Sequence, residues 1–463
     1  MNIKFFFLLI LISIFISISP NKIVFPFSTK YFSTGQNDEF KNIFHNEIFT
    51  TIEIGEPPQK VELYLTTNTR FFIIKKNETF PEYYKNISSS TYKYYDNSSI
   101  YYFNDNILKR GIQSSEKAIL YDSFESGSKI STPILDFIYC TQYEEDSERH
   151  MGILGLQYFP TSFIYSKEIN MMAHLKKRKL TTNYAWNLNY TTPDSGYLVI
   201  GDYPHNFAPD KYKKDDMKQI NVHREGAQRV EWNLYFNEIK YGNIDISSRK
   251  TGKFTPQYGV ILGPSLFDQM ITKEFFEEHV NNHNCERKTY NDDFDYYVCK
   301  ENLDLSNFKN IEFLEKEISS KKFILTKDDL FVKKNGKIYF LIVFGRSWQW
   351  TYCWYLGKPF MKKYNFVFDE DNSQIIYYDK SESKSIVEKK SFVYFIWIGI
   401  GILVIIIAIL VFVLMKLLKE RKKKMFELED DFDYKVENGK NEENKNDKTF
   451  TFEGDEGKNK FGI

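Results

Sequence analysis

Short runs of alternating apolar and polar residues recur along most of the chain. Between Gln59 and Thr66, Val61, Leu63 and Leu65 alternate with Lys60, Glu62 and Tyr64. A period of two is that of a half-buried strand. Short apolar runs of the same kind lie within Met151–Leu156, Ser195–Gly201, Glu231–Gly242, Trp354–Phe360, Tyr364–Asp369 and Ile375–Tyr378. They predict a mostly β body. Two stretches break the pattern: an apolar run from Phe5 to Ile18 after Lys4, and Phe392–Met415, which holds no charge at all.

These two stretches predict a topology. Met1 to Ser19 reads as a signal peptide, because its apolar core is too short for a membrane span. As a helix, Phe392–Met415 is roughly 36 Å long, enough to cross a bilayer with some tilt. Tyr394 and Trp397 lie near its first end, where interfacial aromatics belong, and Lys416, Lys419, Arg421, Lys422, Lys423 and Lys424 follow it at once. Such a basic cluster belongs on the cytosolic side. Lys384, Lys389 and Lys390 on the other flank are diluted by Glu382 and Glu388. The expectation is a single-pass type I membrane protein of the secretory route or cell surface, held in the lipid bilayer by one helix. The tail that follows is rich in Lys, Glu, Asn and Asp, cannot bury a core, and is expected to be disordered.

Composition adds little to this picture. The 463 residues carry 62 basic and 62 acidic side chains, so no net field favours nucleic acid as a partner. The length suits one large bilobal unit or two domains. Aromatic residues make up 17%, with 42 Phe and 33 Tyr, and these favour strands. Their abundance alongside Lys, Asn and Ile fits an AT-rich coding bias, which explains them without a special binding role.

Ile54-Gly-Glu-Pro-Pro-Gln59, the alternating run after it, and Thr66-Thr-Asn-Thr69 resemble the entry to the active site of pepsin-like aspartic proteases (peptidase A1). That family has Ile-Gly-Thr-Pro-Pro-Gln, an alternating strand, then Asp-Thr-Gly-Ser. Met151-Gly-Ile-Leu-Gly-Leu156, Ser195-Gly-Tyr-Leu-Val-Ile-Gly201, Glu231-Trp-Asn-Leu-Tyr-Phe-Asn-Glu-Ile-Lys-Tyr-Gly242 and the closing runs from Trp354 to Tyr378 resemble further family segments, in the family's order. The resemblance implies a bilobal, mostly β fold. Its N-terminal lobe would span 46–202 and its C-terminal lobe 203–383. Ahead of them come the signal peptide, 1–19, and a short N-terminal segment, 20–45. After them come a juxtamembrane linker, 384–391, the transmembrane helix, 392–415, and the cytosolic tail, 416–463.

The resemblance also implies an activity that the residues contradict. In the family two aspartates face each other and share one proton, because like charges that close cannot both ionise. One activates a water and the other protonates the oxyanion, work that contributes roughly 10²–10⁴-fold per group. Here the first aspartate falls on Thr66 and the motif glycine on Asn68. For the second, matching Gly263 to the family glycine puts Ile261 at the aspartate, and a one-residue shift puts Leu262 there. Thr67 and Ser265 match positions that brace the aspartates. The flap position falls on Phe103 or Asn104, with Tyr102 adjacent. Glu62 and Asp268 lie close by in sequence, but neither is expected at the dyad centre. No catalytic residue is therefore expected. The favoured reading is an inactive homologue that binds an extended peptide or protein in its interlobe cleft by strand-like contacts. Two others compete with it: an active aspartic endopeptidase with a non-standard arrangement, and a structural membrane glycoprotein.

Four cysteines, all in the expected ectodomain, suggest disulfides in an oxidising compartment. Cys285 and Cys299 enclose a short loop where the family often has a bridge, which leaves Cys140 and Cys353 either to pair or to stay as buried thiols. Asn77, Asn86, Asn97 and Asn189 each open an Asn-x-Ser/Thr sequon, a candidate N-glycosylation site. His279 and His283 have helical metal-ligand spacing but lack the Glu that follows the first His in zinc proteases, so no metal and no cofactor is expected.

Overall fold

The computed structural model describes residues 22–30, 39–76, 84–95, 100–102, 108–122, 129–131, 133–143, 151–158, 169–223, 231–246, 250–316, 322–347, 353–378 and 414–420. Strands dominate. Gln59–Thr66 shows why: Val61, Leu63 and Leu65 are wholly buried on one face, as the alternation predicts. The strands form two large sheets, one built mainly from each half of the chain.

Each half contains the same four-strand arrangement. In the first, Gln59–Thr66 runs parallel to Gly152–Gly155, which lies antiparallel to Phe72–Lys75, which is parallel to Ile134–Tyr143. In the second, Thr251–Phe254 runs parallel to Trp354–Leu356, which lies antiparallel to Ile261–Gly263, which is parallel to Ile342–Gly345. The chain is thus an internal duplication in structure, and each residue of one motif has a counterpart in the other.

A shared sheet joins the halves. Met217–Asn221, Gln374–Tyr378, Val367–Asp369, Ala185–Tyr190, Ser195–Ile200, Ile23–Lys30 and Glu47–Ile54 are neighbours in that order. The strands closest to the C-terminal end of this body therefore pair with strands of the first half. Beneath them Trp186 stacks on Phe368 at 4.2 Å, and Trp232 meets Phe368 at 5.1 Å and Tyr158 at 4.8 Å. Aromatic pairs of this kind add about 0.5–1.5 kcal/mol each beyond their burial.

The short N-terminal segment, 20–45, contributes a strand and a helix to the body. Ile23–Lys30 is inserted between Ser195–Ile200 and Glu47–Ile54. The helix Glu39–Phe44 then packs Phe40 and Phe44 into a core of the second half with Val260, Leu262 and Tyr296. Phe40 stacks on Tyr296 at 3.5 Å.

Cys285 and Cys299, opposite each other on paired strands, are disulfide-bonded. Cys140 and Cys353 are both thiols, so of the two alternatives left open for them the structure shows no bridge. The segment from Glu382 onward forms a separate unit, of which only 414–420 is described, as helix. Among the described residues no helix is long and apolar enough to cross a membrane. The predicted span 392–415 lies outside them except for Leu414 and Met415.

Candidate active site

The duplicated motif decides which residues face each other. Thr66 ends its strand opposite Gly155. In the second half Phe254 is opposite Leu356, so the next step pairs Thr255 with Gly357. The loops confirm this register. A Cβ on Gly155 would collide with the carbonyl of Thr69, three residues past Thr66. A Cβ on Gly357 would lie 2.5 Å from the carbonyl of Tyr258, three residues past Thr255. Both glycines are required because the turn backbone packs directly on them. The counterpart of Thr66 is therefore Thr255.

This corrects the expectation for Ile261. Leu262 pairs with Tyr355 as Ile73 pairs with Ile153, so Ile261 is the counterpart of Phe72. It is a wholly buried core residue in the strand after the site loop. Gly263, which the sequence match took for the motif glycine, is small for packing reasons: a Cβ there would meet Ile342, Phe267 and Phe344 at 3.1 to 3.2 Å. Ser265 is corrected with it. It opens the helix Ser265–Ile271 and is exposed, with no place in the site loop.

The two site loops are tied to each other. The Thr67 hydroxyl donates to the Phe254 carbonyl at 3.2 Å, across the halves and buried. The reciprocal bond cannot form, because the counterpart of Thr67 is Pro256, which has neither hydroxyl nor N–H. Asn68 and Gln257 stand two residues past Thr66 and Thr255, and their side chains bond directly, Gln257 Nε2 to Asn68 Oδ1 at 3.2 Å. Below them Thr66 and Thr255 are 4% and 1% exposed. The Thr66 hydroxyl accepts the Asn68 backbone N–H at 3.1 Å. The N-terminal segment braces the second loop from behind: Asn46 Nδ2 donates to the Pro256 carbonyl and the Asn46 N–H to that of Gln257.

The phenols beside the floor are held protonated. Tyr64, two residues before Thr66 on the same strand, has its phenol pushed far up by burial, with Glu47 and Tyr258 adding to the shift. Tyr258 is raised by burial as well. A threonine hydroxyl cannot hold the negative charge that a general base needs at acid or neutral pH. The two carboxylates close by in sequence are engaged elsewhere. Glu62 pairs with Lys30. Asp268 accepts from Arg287 Nη2 at 2.7 Å, and burial raises its pKa.

Of the flap candidates, Tyr102 ends the strand Ile100–Tyr102 opposite Arg110, while Phe103 and Asn104 lie outside the described residues. Among the sequon residues, Asn86 is half-buried and its Oδ1 accepts from the Tyr139 hydroxyl at 3.3 Å. Asn189 is half-buried in a paired strand, and Asn77 and Asn97 lie outside the described residues. Sequence reasoning missed Thr255, Gln257 and Asn46. The signal for Thr255 was spacing, since Thr255 to Ile261 equals Thr66 to Phe72.

Comparison with solved structures supports the fold alone. Conglutin gamma, a basic 7S globulin from lupine seeds, superposes with a TM-score of 0.56 at 13% identity, covering 78% of this chain and 95% of its own. Basic 7S globulin from soybean gives 0.55 at 12% identity, covering 77% and 95%. Among curated proteins none is similar enough in sequence to match. The model of the eukaryotic aspartyl protease family matches residues 47–377, most of the chain and all of the duplicated motif, and the chain accordingly belongs to that family.

Proposed function

We propose that this protein is a non-hydrolytic member of the aspartyl protease family, whose ectodomain binds an extended peptide or protein segment between its two halves. The observation that carries the reading is the pair of strand ends where the family chemistry needs carboxylates: both hold threonine, at Thr66 and Thr255. With no carboxylate on either strand end, a bound peptide would persist uncleaved. The uncharged run 392–415 and the basic residues after it support anchoring in a membrane, with the body on the lumenal or extracellular side.

The test is a cleavage assay on the ectodomain from about Asn21 to Lys390, with a denatured-protein digest from acid to neutral pH and new termini read by mass spectrometry. No new termini are expected at any pH. Pepstatin-sensitive cleavage would overturn the reading. For the anchor, the full chain should remain with membranes after alkaline carbonate extraction, and a chain ending at Lys390 should not.

A further inference from the structure

Above the two threonines lies a contact between the site loops that bears on access to them. The bonded pair Asn68–Gln257 crosses from one site loop to the other. Asn68 is exposed, whereas Gln257, like Thr66, Thr67 and Thr255, is buried, so Asn68 is the outer member of the bridge and Gln257 its inner one. In the family pattern the first of these positions is glycine, which has no side chain to place in the cleft.

We infer that the Asn68–Gln257 bridge closes the floor of the cleft, so that carboxylates restored at Thr66 and Thr255 would not reach a peptide until the bridge is removed. This rests on the non-hydrolytic reading of the site. Peptide hydrolysis requires a water oxygen to bond to the scissile carbonyl carbon. One carboxylate takes the water proton, the other acid gives a proton that ends on the leaving nitrogen, and the C–N bond breaks. Water and peptide must both stand between the two carboxylates for this to occur. Two carboxamides joined at 3.2 Å over the strand ends exclude a peptide backbone from that space. An extended ligand therefore lies above the bridge, against the exposed Asn68 amide, and the cleft holds it without presenting its carbonyl to the floor.

The bridge also ties the halves at their mid-point, together with the Thr67 hydroxyl on the Phe254 carbonyl and the Trp232 indole N–H on the Leu156 carbonyl at 2.8 Å. Only the first of these three ties can be removed without touching a wholly buried side chain, because Asn68 is at the surface.

Four full-length ectodomains make the test: wild type, T66D/T255D, T66D/T255D/N68G and T66D/T255D/N68G/Q257G. Each is first checked by circular dichroism and thermal unfolding, then assayed with the denatured-protein digest at acid pH. We expect no cleavage by T66D/T255D and pepstatin-sensitive cleavage by the quadruple variant. Calorimetry with a statine peptide, whose central hydroxyl must reach the floor, should show at least a tenfold gain in affinity on adding N68G to T66D/T255D. That comparison decides the matter if the quadruple variant does not fold, because N68G changes one exposed residue. Cleavage by T66D/T255D with the bridge intact would overturn the bridge while leaving the non-hydrolytic reading of the natural chain in place. A folded quadruple variant that neither cleaves nor binds the statine peptide would overturn it too. Cleavage by the wild type would instead remove the reading on which the inference rests.

Discussion

Thr67 shows how a single buried hydroxyl can join two distant parts of the chain. It sits beside Thr66, and its bond to the Phe254 carbonyl joins the two halves. Thr67→Val keeps the shape and removes the donor, leaving a buried carbonyl unsatisfied. The expected loss is about 1–3 kcal/mol of stability, read as a shift in the urea midpoint with an unchanged slope. A midpoint equal to that of the wild type would mean that the bond contributes nothing. Thr66 was legible in the sequence because an ungapped run from Gln59 leads into it. Thr255 was not, because its own neighbours, Pro256 and Gln257, share no residue with the family motif and Gly263 offered a false anchor.

Local elements add two ties outside the site. Cys285–Cys299 closes a loop of sequence separation 14 on one strand pair. Replacing both cysteines with alanine should cost about 3 kcal/mol in the chain-entropy model, measured by chemical denaturation under non-reducing conditions. The helix Glu39–Phe44 is held at its start by its acid: the Glu39 carboxylate accepts from the Tyr339 hydroxyl at 2.6 Å and from Asn335. These bonds, with Lys337 and Lys334 nearby, lower its pKa below the usual 4.5. A carboxylate with a depressed folded pKa stabilises above its unfolded value, and that stability is lost as pH falls through the folded one. Glu39→Gln should therefore be less stable than the wild type at neutral pH, and the gap should close on acidification below about pH 4.5. A gap that stays constant with pH would show that the charge on Glu39 is not what holds the helix.

At the scale of the whole molecule, the segment 23–46 connects everything. Its strand supplies a middle member of the shared sheet, its helix fills a core in the second half, and Asn46 reaches the site loop. Within it Ile23, Phe25, Phe27, Phe40 and Phe44 are buried. Deleting 22–46 from the ectodomain should abolish soluble monomer in gel filtration, since the sheet would lose a strand with neighbours on both sides. A deletion variant that eluted as a folded monomer would show the segment to be dispensable.

Strand alternation, the order of the motifs and the absence of aspartate at Thr66 follow from the sequence by itself. They depend on local periodicity and on residue identity, which the chain carries position by position. The same holds for the uncharged run at 392–415, whose length and flanks are properties of composition. The partner of Thr66 belonged to the tertiary structure. Which residue faces it is set by pairing between strands far apart in the chain, with Thr255 brought into register by Trp354–Leu356 and not by any motif of its own. The Asn68–Gln257 bridge is of the same kind. Two ordinary amides separated by 189 positions acquire a meaning only when the duplicated halves close on each other and set them at hydrogen-bond distance.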